Sequence, residues 1–299
     1  MSAIPDPAHA LTASGNLRRR QAVNRIFESG TVLAAGLAVL VLFILVYYAA
    51  KHGISQLSLG FLFDKLPVVT GITSSLGGGI GPALLGTVEL VVIATLIALP
   101  VGILTAVYLS EFAGPRVGRV MRTFLDLMAG LPTIIAGIFV AGLLADRFGQ
   151  SAYAAGIALS IVEVPLIARA SMESISRVPG SMREAADALG VAHWRTVLGV
   201  ILPTASGGIV TASILAVARA AGETAPVLLT CSLFTPAYAV NPLHSVPSVP
   251  LVIFQLMEDG YTTTTDKAWG AAFLLMVTIL LVNIAARVWL RRSERKRGQ

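Results

Sequence analysis

A chain of 299 residues that is 55% hydrophobic and only 13% charged is composed for lipid, since soluble domains carry about 25% charged residues. The net charge of +6 would suit nucleic acid, but the basic residues sit in short clusters beside apolar runs, which is the pattern of membrane topology. The single cysteine, Cys231, excludes an intrachain disulfide; it reads as a packing residue, and the four histidines (His9, His52, His193, His244) show no metal-ligand spacing.

Residues 1–30 read as a cytoplasmic tail. They are mostly polar, and the apolar run that follows is long enough to span, so no cleavable signal peptide is expected. About 20 apolar residues cross the hydrocarbon core. Six segments reach that scale: residues 31–50, 83–110 with Pro100 in the middle, 123–145, 152–168 with Glu163 and Pro165, 203–230, and 268–286. Between them, residues 51–82 form an outer segment whose glycines, from Gly77 to Gly81 before Pro82, predict a flexible entry into the second span. Residues 232–267 carry Pro236, Pro242, Pro247 and Pro250, so one continuous helix is not expected there. Residues 249–257 are apolar but too short to cross, and read as an interfacial or re-entrant piece over the outer mouth.

The basic residues orient this frame. Of 22 Lys and Arg, 17 fall in the two tails and in the second-to-third and fourth-to-fifth connections. Only Lys51, Lys65, Arg147 and Lys267 fall on the opposite side, and Arg219 lies inside the fifth span. The positive-inside rule places both termini in the cytoplasm. No phosphate-binding loop of the G-x-x-x-x-G-K-[ST] kind occurs, so any ATP that drives this chain is bound by another subunit.

The cytoplasmic side therefore includes Arg183-Glu184-Ala185-Ala186-Asp187-Ala188-Leu189-Gly190, closed ten residues later by Val200-Ile201-Leu202-Pro203. It is a polar, helix-prone stretch with a glycine break, set between long apolar runs. Such an element either docks into a partner's groove or simply connects two spans. Inside the membrane, Arg219 costs about 2.5–3.5 kcal/mol on insertion scales, so it should face the bundle interior or an aqueous path. Glu223 stands four residues on, within reach of it, while Gly222 and Pro226 loosen the backbone. The two are either a permanent ion pair or a switchable anion site. Arg169 sits at the inner end of the fourth span, either as a snorkelling arginine or as a second polar group in a path. Glu89 and Asp126 lie near span ends and read as interfacial, and Glu163 is expected to pair with an arginine.

Glu184, Ala185, Ala186 and Gly190, with Leu202 and Pro203, resemble the EAA loop of bacterial ABC importer permeases, with Val200 where that pattern has isoleucine. Arg219-Ala220-Ala221-Gly222-Glu223-Thr224-Ala225-Pro226 resembles the signature of the phosphate-importer permeases, and its alanine-proline ending resembles the PstA-type rather than the PstC-type family. Pro100-Val101-Gly102-Ile103, Tyr108-Leu109-Ser110-Glu111, Gly130-Leu131-Pro132-Thr133-Ile134, Val164-Pro165-Leu166-Ile167-Ala168-Arg169 and Ala268-Trp269-Gly270 agree, so the likeness runs over residues 77–290.

The resemblance implies an all-α integral membrane fold of about six transmembrane helices, N-in and C-in, of the type I (MetI-like) importer class. The implied organisation is a first span and outer segment over residues 31–76, a permease domain over residues 77–290 with a coupling helix at about 180–200, and a basic tail over residues 291–299. It implies a high-affinity phosphate importer in which Arg219, Glu223 and Arg169 belong to the substrate path, and Glu184, Ala185, Ala186 and Gly190 couple to an ATPase. The implied partners are a PstC-type sister permease, two copies of a PstB-type ATPase and an external PstS-type phosphate-binding protein. This chain would be no enzyme and bind no cofactor, ATP being used by the partner subunit. Permeases for sulfate, molybdate or phosphonate share the EAA loop and remain alternatives. So do an ion-gradient transporter using Glu223 or Glu163, and a signalling protein with vestigial transport.

Overall fold

The computed structural model describes residues 17–66, 69–70, 73–74, 78–232, 237–238 and 241–296. Residues 1–16, Gly77, Pro236 and residues 297–299 lie outside the described residues. The chain divides into two compact units, Met1–Lys51 and His52–Gln299. The first is made by α1 (Leu17–Gly53). Its polar side chains at the start of the apolar run bond back along the helix, Ser29 Oγ to the Arg25 carbonyl at 2.7 Å and Thr31 Oγ1 to that of Phe27 at 2.7 Å. That leaves no hydroxyl unsatisfied as the helix enters lipid.

The second unit begins with a 3-10 turn (Ile54–Gln56) and the short α2 (Leu59–Phe63), capped by Ser58, whose hydroxyl accepts the Phe61 N–H at 3.1 Å. A two-residue ladder follows, β1 (Val69–Thr70) antiparallel to β2 (Thr73–Ser74), with Val69 opposite Ser74. Helix α3 (Gly81–Val107) runs inward and ends in a π-helical turn (Tyr108–Phe112). Then come α4 (Pro115–Gly130), α5 (Thr133–Val140), a second π-turn (Ala141–Ala145) and α6 (Asp146–Phe148). Helix α7 (Ala152–Ser176) descends to the cytoplasmic α8 (Gly180–Ala188) and α9 (His193–Thr196). A third π-turn (Val197–Ile201) leads into α10 (Leu202–Ala220). The chain finishes with α11 (Ala225–Thr230), α12 (Val249–Glu258) and α13 (Thr262–Lys296).

Among the described residues five helices are long and apolar enough to cross, and the bent pair of residues 115–148, counted as one broken span, brings the number to six. The third span expected over residues 123–145 is therefore not straight: α4 and the helix after it meet at 96°. Pro132 is the cause, because it holds Leu131 extended (φ −70°, ψ 137°) and no helix passes through. The fifth span expected over residues 203–230 is likewise broken at 221–224, between α10 and α11. Pro100 and Pro165, by contrast, sit inside unbroken helices. Among the described glycines before α3, Gly79 is not a flexible entry. The Gly79 N–H donates to the Lys65 carbonyl and the Ile80 N–H to that of Phe61, both at 2.8 Å. A side chain on Gly79 would strike the Gly60 and Phe61 carbonyls, so glycine is used there for close approach.

The core of the unit is the seam between α3 and α7. Small residues let two backbones approach in lipid, where apolar surface alone gives no preference for protein over acyl chain. A Cβ on Gly102 would lie 2.8 Å from Ile167 Cγ2, and one on Gly156 would strike Ile93. Above the outer end of the seam, α12 is pinned by a buried bond: Thr87 Oγ1 accepts the Val249 N–H at 2.8 Å. Cys231 Sγ makes a second one, accepting from the Val246 N–H at 3.2 Å. Replacing Gly102 with leucine is expected to lower the apparent Tm in detergent by several degrees, an overpacking cost of about 1–3 kcal/mol. Gly142→Ala, at a position with nothing within 4 Å, should leave the Tm unchanged in the same thermal-unfolding assay.

Candidate functional site: an arginine-lined cleft and a cytoplasmic elbow

Arg219 occupies the last turn of α10, just before the break. Its Nε donates to Glu223 Oε1 at 3.1 Å. The two do not share one helix, since α10 stops at Ala220 and the link carries Glu223; the tight turn at Ala221–Gly222 preserves the reach. The ion pair is asymmetric: the arginine side chain is 54% exposed and the glutamate 16%. Arg219 lines a cleft of about 230 Å³ whose other walls are apolar apart from Thr133, among them Leu131 and Pro132 at the α4–α5 break, Phe139 of α5, and Ile161 and Leu166 of α7. A guanidinium fork in apolar walls presents N–H donors to an oxyanion with little competition from other protein groups.

Arg169 lies elsewhere. It leaves α7 to pair with Asp126 of α4, joining these helices through an ion pair that is open to solvent on both sides. It is not a wall of the Arg219 cleft. Glu163 does not pair with an arginine among the described residues: its side chain is enclosed and neither carboxylate oxygen has a partner there. Glu89, expected at the interface, also keeps both oxygens buried without a partner among the described residues. Burial of an unpaired polar group is costly, and an apolar isostere removes the cost. Glu163→Met is therefore expected to hold or raise the apparent Tm in detergent, whereas a drop of several degrees would reveal a partner for the carboxyl.

The cytoplasmic segment folds as an elbow. Helix α8 ends where Gly190 takes φ +66°, a conformation that glycine adopts without strain. The Val191 N–H returns to the Ala186 carbonyl at 3.1 Å and the Gly190 N–H to that of Asp187 at 2.9 Å. These are the paired bonds of a Schellman turn. Glu184, Ala185 and Gly190 face outward while Ala186 is buried. The tip is apolar: Leu189 is 82% exposed, and Trp194, under the Arg195 guanidinium, is 54% exposed. Exposed apolar side chains beside Glu184 and Asp187 suit a groove that is apolar at its floor and basic at its rim.

Sequence reasoning gave Glu111 no role of its own, yet it anchors this elbow. Its side chain is 5% exposed and receives Arg183 through two bonds, Nη2 to Oε1 at 2.8 Å and Nε to Oε2 at 3.5 Å. His193 Nε2 lies 3.2 Å from the Glu111 carbonyl, and the His193 ring packs edge-on against Phe112. Partners 72 and 82 positions apart leave no local pattern; the only trace is a charged residue at the very end of an apolar run.

The model of the family described as binding-protein-dependent transport system inner membrane component matches residues 98–299. A Methanocaldococcus jannaschii protein named probable phosphate transport system permease protein PstA is 35% identical over 257 residues, covering 85% of this chain and 89% of the relative. The Mycobacterium tuberculosis protein named phosphate transport system permease protein PstA 1 is 37% identical over 212 residues, covering 70% and 69%. In a solved structure, a chain of a bacterial alginate ABC transporter superposes with a TM-score of 0.61 at 15% identity, over 92% of this chain and 96% of that one. A chain of the inward-facing MetNI methionine ABC transporter does so at 0.56 and 20% identity, over 72% and 94%. At these identities the structures establish a MetI-like importer-permease fold. With the family model covering well over half of the residues, the chain belongs to the binding-protein-dependent transport system inner membrane component family.

Proposed function

We propose that this multi-pass inner-membrane protein is the permease subunit of an ATP-driven importer of inorganic phosphate. Arg219 is the observation that carries the reading: one half-exposed guanidinium lines an apolar cleft at a break in a membrane helix. The relatives named as phosphate transport permeases support phosphate as the oxyanion. In this reading the anion displaces Glu223 from the guanidinium, and Glu223 returns when the anion leaves. The site is weak by construction, because binding competes with an existing ion pair, and transport requires release as well as capture. Arg169, paired with Asp126 in the resting structure, is a further residue of the path toward its inner end.

A homologous sister permease completes the path, an external phosphate-binding protein delivers the ion, and a pair of ATPase subunits docks from the cytoplasm. One of these takes the elbow at Glu184, Ala185, Ala186 and Gly190, with Leu189 filling its groove. Hydrolysis belongs to those subunits; this chain binds no cofactor and carries out no catalysis. Residues 77–290 act as the permease domain, with residues 180–200 as its coupling element.

The test is ATP-dependent uptake of radiolabelled phosphate into proteoliposomes carrying the whole complex. Arg219→Gln is expected to lower uptake by about tenfold or more, the worth of a charge-assisted hydrogen bond, with assembly and ATPase activity kept. Glu184→Lys should instead separate ATP hydrolysis from uptake. Persistent uptake by Arg219→Gln would assign the arginine to structure alone. A wild-type complex that moves sulfate or molybdate and not phosphate would overturn the substrate.

A further inference from the structure

We propose that Glu111 is a positioning residue that fastens both arms of the cytoplasmic elbow to the inner end of α3, so that displacement of the elbow drives the second span directly. The inference rests on the reading of the elbow as the ATPase-docking element.

Covalent connection gives the elbow only two levers. Helix α8 follows α7 through residues 177–179, and α9 continues into α10. Helix α3 is more than sixty residues away in sequence and has no such link. Glu111 supplies it without a bond along the chain. From the first arm, Arg183 approaches its carboxylate with a two-pronged contact. From the second arm, His193 meets its carbonyl, and His193 Nε2 is 3.6 Å from Oε2 as well. The two arms are separated by the Gly190 turn, so one residue of the π-helical turn that ends α3 holds the elbow on both sides of its hinge.

Arg183 is committed on its remaining sides. Its Nη1 donates to the Val178 carbonyl at 2.8 Å, and its Nη2 also donates to that of Ile175 at 3.1 Å. Those are acceptors at the C-terminal end of α7, which an arginine side chain suits. The guanidinium therefore joins three elements: α3 through Glu111, the end of α7 through its carbonyls, and α8 through its own backbone. Arg122 of α4 reaches the same place, donating to the Leu109 carbonyl at 2.9 Å. A carboxylate that is 5% exposed and matched by a guanidinium fork holds a defined geometry; an exposed lysine pair would not. Since α3 and α7 are already locked along their seam, the link makes α3, α7 and the elbow one body.

The experiment uses the full complex in proteoliposomes and reads three quantities: ATPase subunit retained on purification, ATP hydrolysed, and phosphate moved per ATP. Glu111→Gln is expected to retain the ATPase subunit and hydrolyse ATP, while phosphate moved per ATP falls by at least about fivefold, the lower range of coupling between sites. Arg183→Lys keeps the charge but loses the fork, and serves if Glu111→Gln fails to fold; the same loss is expected. The double variant should be no worse than the poorer single variant. An unchanged ratio in either single variant, or losses that multiply in the double, would overturn the proposal. Leu189→Asp separates it from the reading beneath it. If that variant loses the ATPase subunit while Glu111→Gln transports at full ratio, only the Glu111 link falls. If Leu189→Asp retains the ATPase subunit and full uptake, the docking role of the elbow falls and takes the link with it.

Discussion

Close contact between α3 and α7 sets the position of nearly everything else in the second unit. Lipid gives helices no hydrophobic reason to associate, so close packing of small residues has to do it. Here Gly102 and Gly156 admit the opposing helix, and Ala94, Ala98, Ala106, Ala155 and Ala158 are fully enclosed around them. Two long rods in register along such a seam have both their ends determined. At the outer end Thr87 meets the start of α12, and at the inner end Glu111 is brought under Arg183. The remaining sides of α7 are free to receive α5, α10 and α11. The cleft is a product of that arrangement, because α7 forms one wall and the broken helix the other.

The two interruptions belong together. One lies at Leu131–Pro132, the other at residues 221–224, and they come close: a side chain on Gly137 of α5 would lie 2.8 Å from Pro226 Cα of α11. A broken helix inside a bilayer frees backbone N–H and C=O groups, and these are tolerated only where protein or water can satisfy them. A guanidinium in the membrane makes the same demand for polar surroundings. Arg219 meets that demand beside the first break, in the cleft that Leu131 and Pro132 also line.

How far the fold could be read from residues depended on range. Hydropathy and basic-residue asymmetry are properties of whole segments, and both the number of crossings and the cytoplasmic place of the elbow follow from them. Gly190 was legible because a glycine after a polar helix has a local purpose. Pro132 and Pro226 were visible too, but composition does not distinguish a proline that breaks a helix from one, such as Pro100 or Pro165, that the helix absorbs; packing decides that. Arg219 and Glu223 were legible as a pair through their spacing. Glu111 with Arg183, and Asp126 with Arg169, were not, because each pair is assembled by helix packing across tens of residues. Glu163 is the converse: charge in an apolar run suggested an arginine partner, and its enclosure leaves the carboxyl without one among the described residues.

The amino-terminal end of α7 is closed off by the chain that follows α11. The Ser151 N–H donates to the Thr230 carbonyl, that of Ala152 to His244, that of Tyr153 to Pro242, and that of Ala154 to the Ser151 hydroxyl, at 2.9–3.2 Å. Left open, four aligned donors at a helix start form a trap for anions. Spent on three carbonyls and a hydroxyl, they present no such trap at this helix end. In the phosphate-importer reading, an anion arriving there would meet no competing resting place at this helix end. In that reading, closing this helix end would act as traffic control, removing a competitor for the anion without adding any attraction at Arg219 itself.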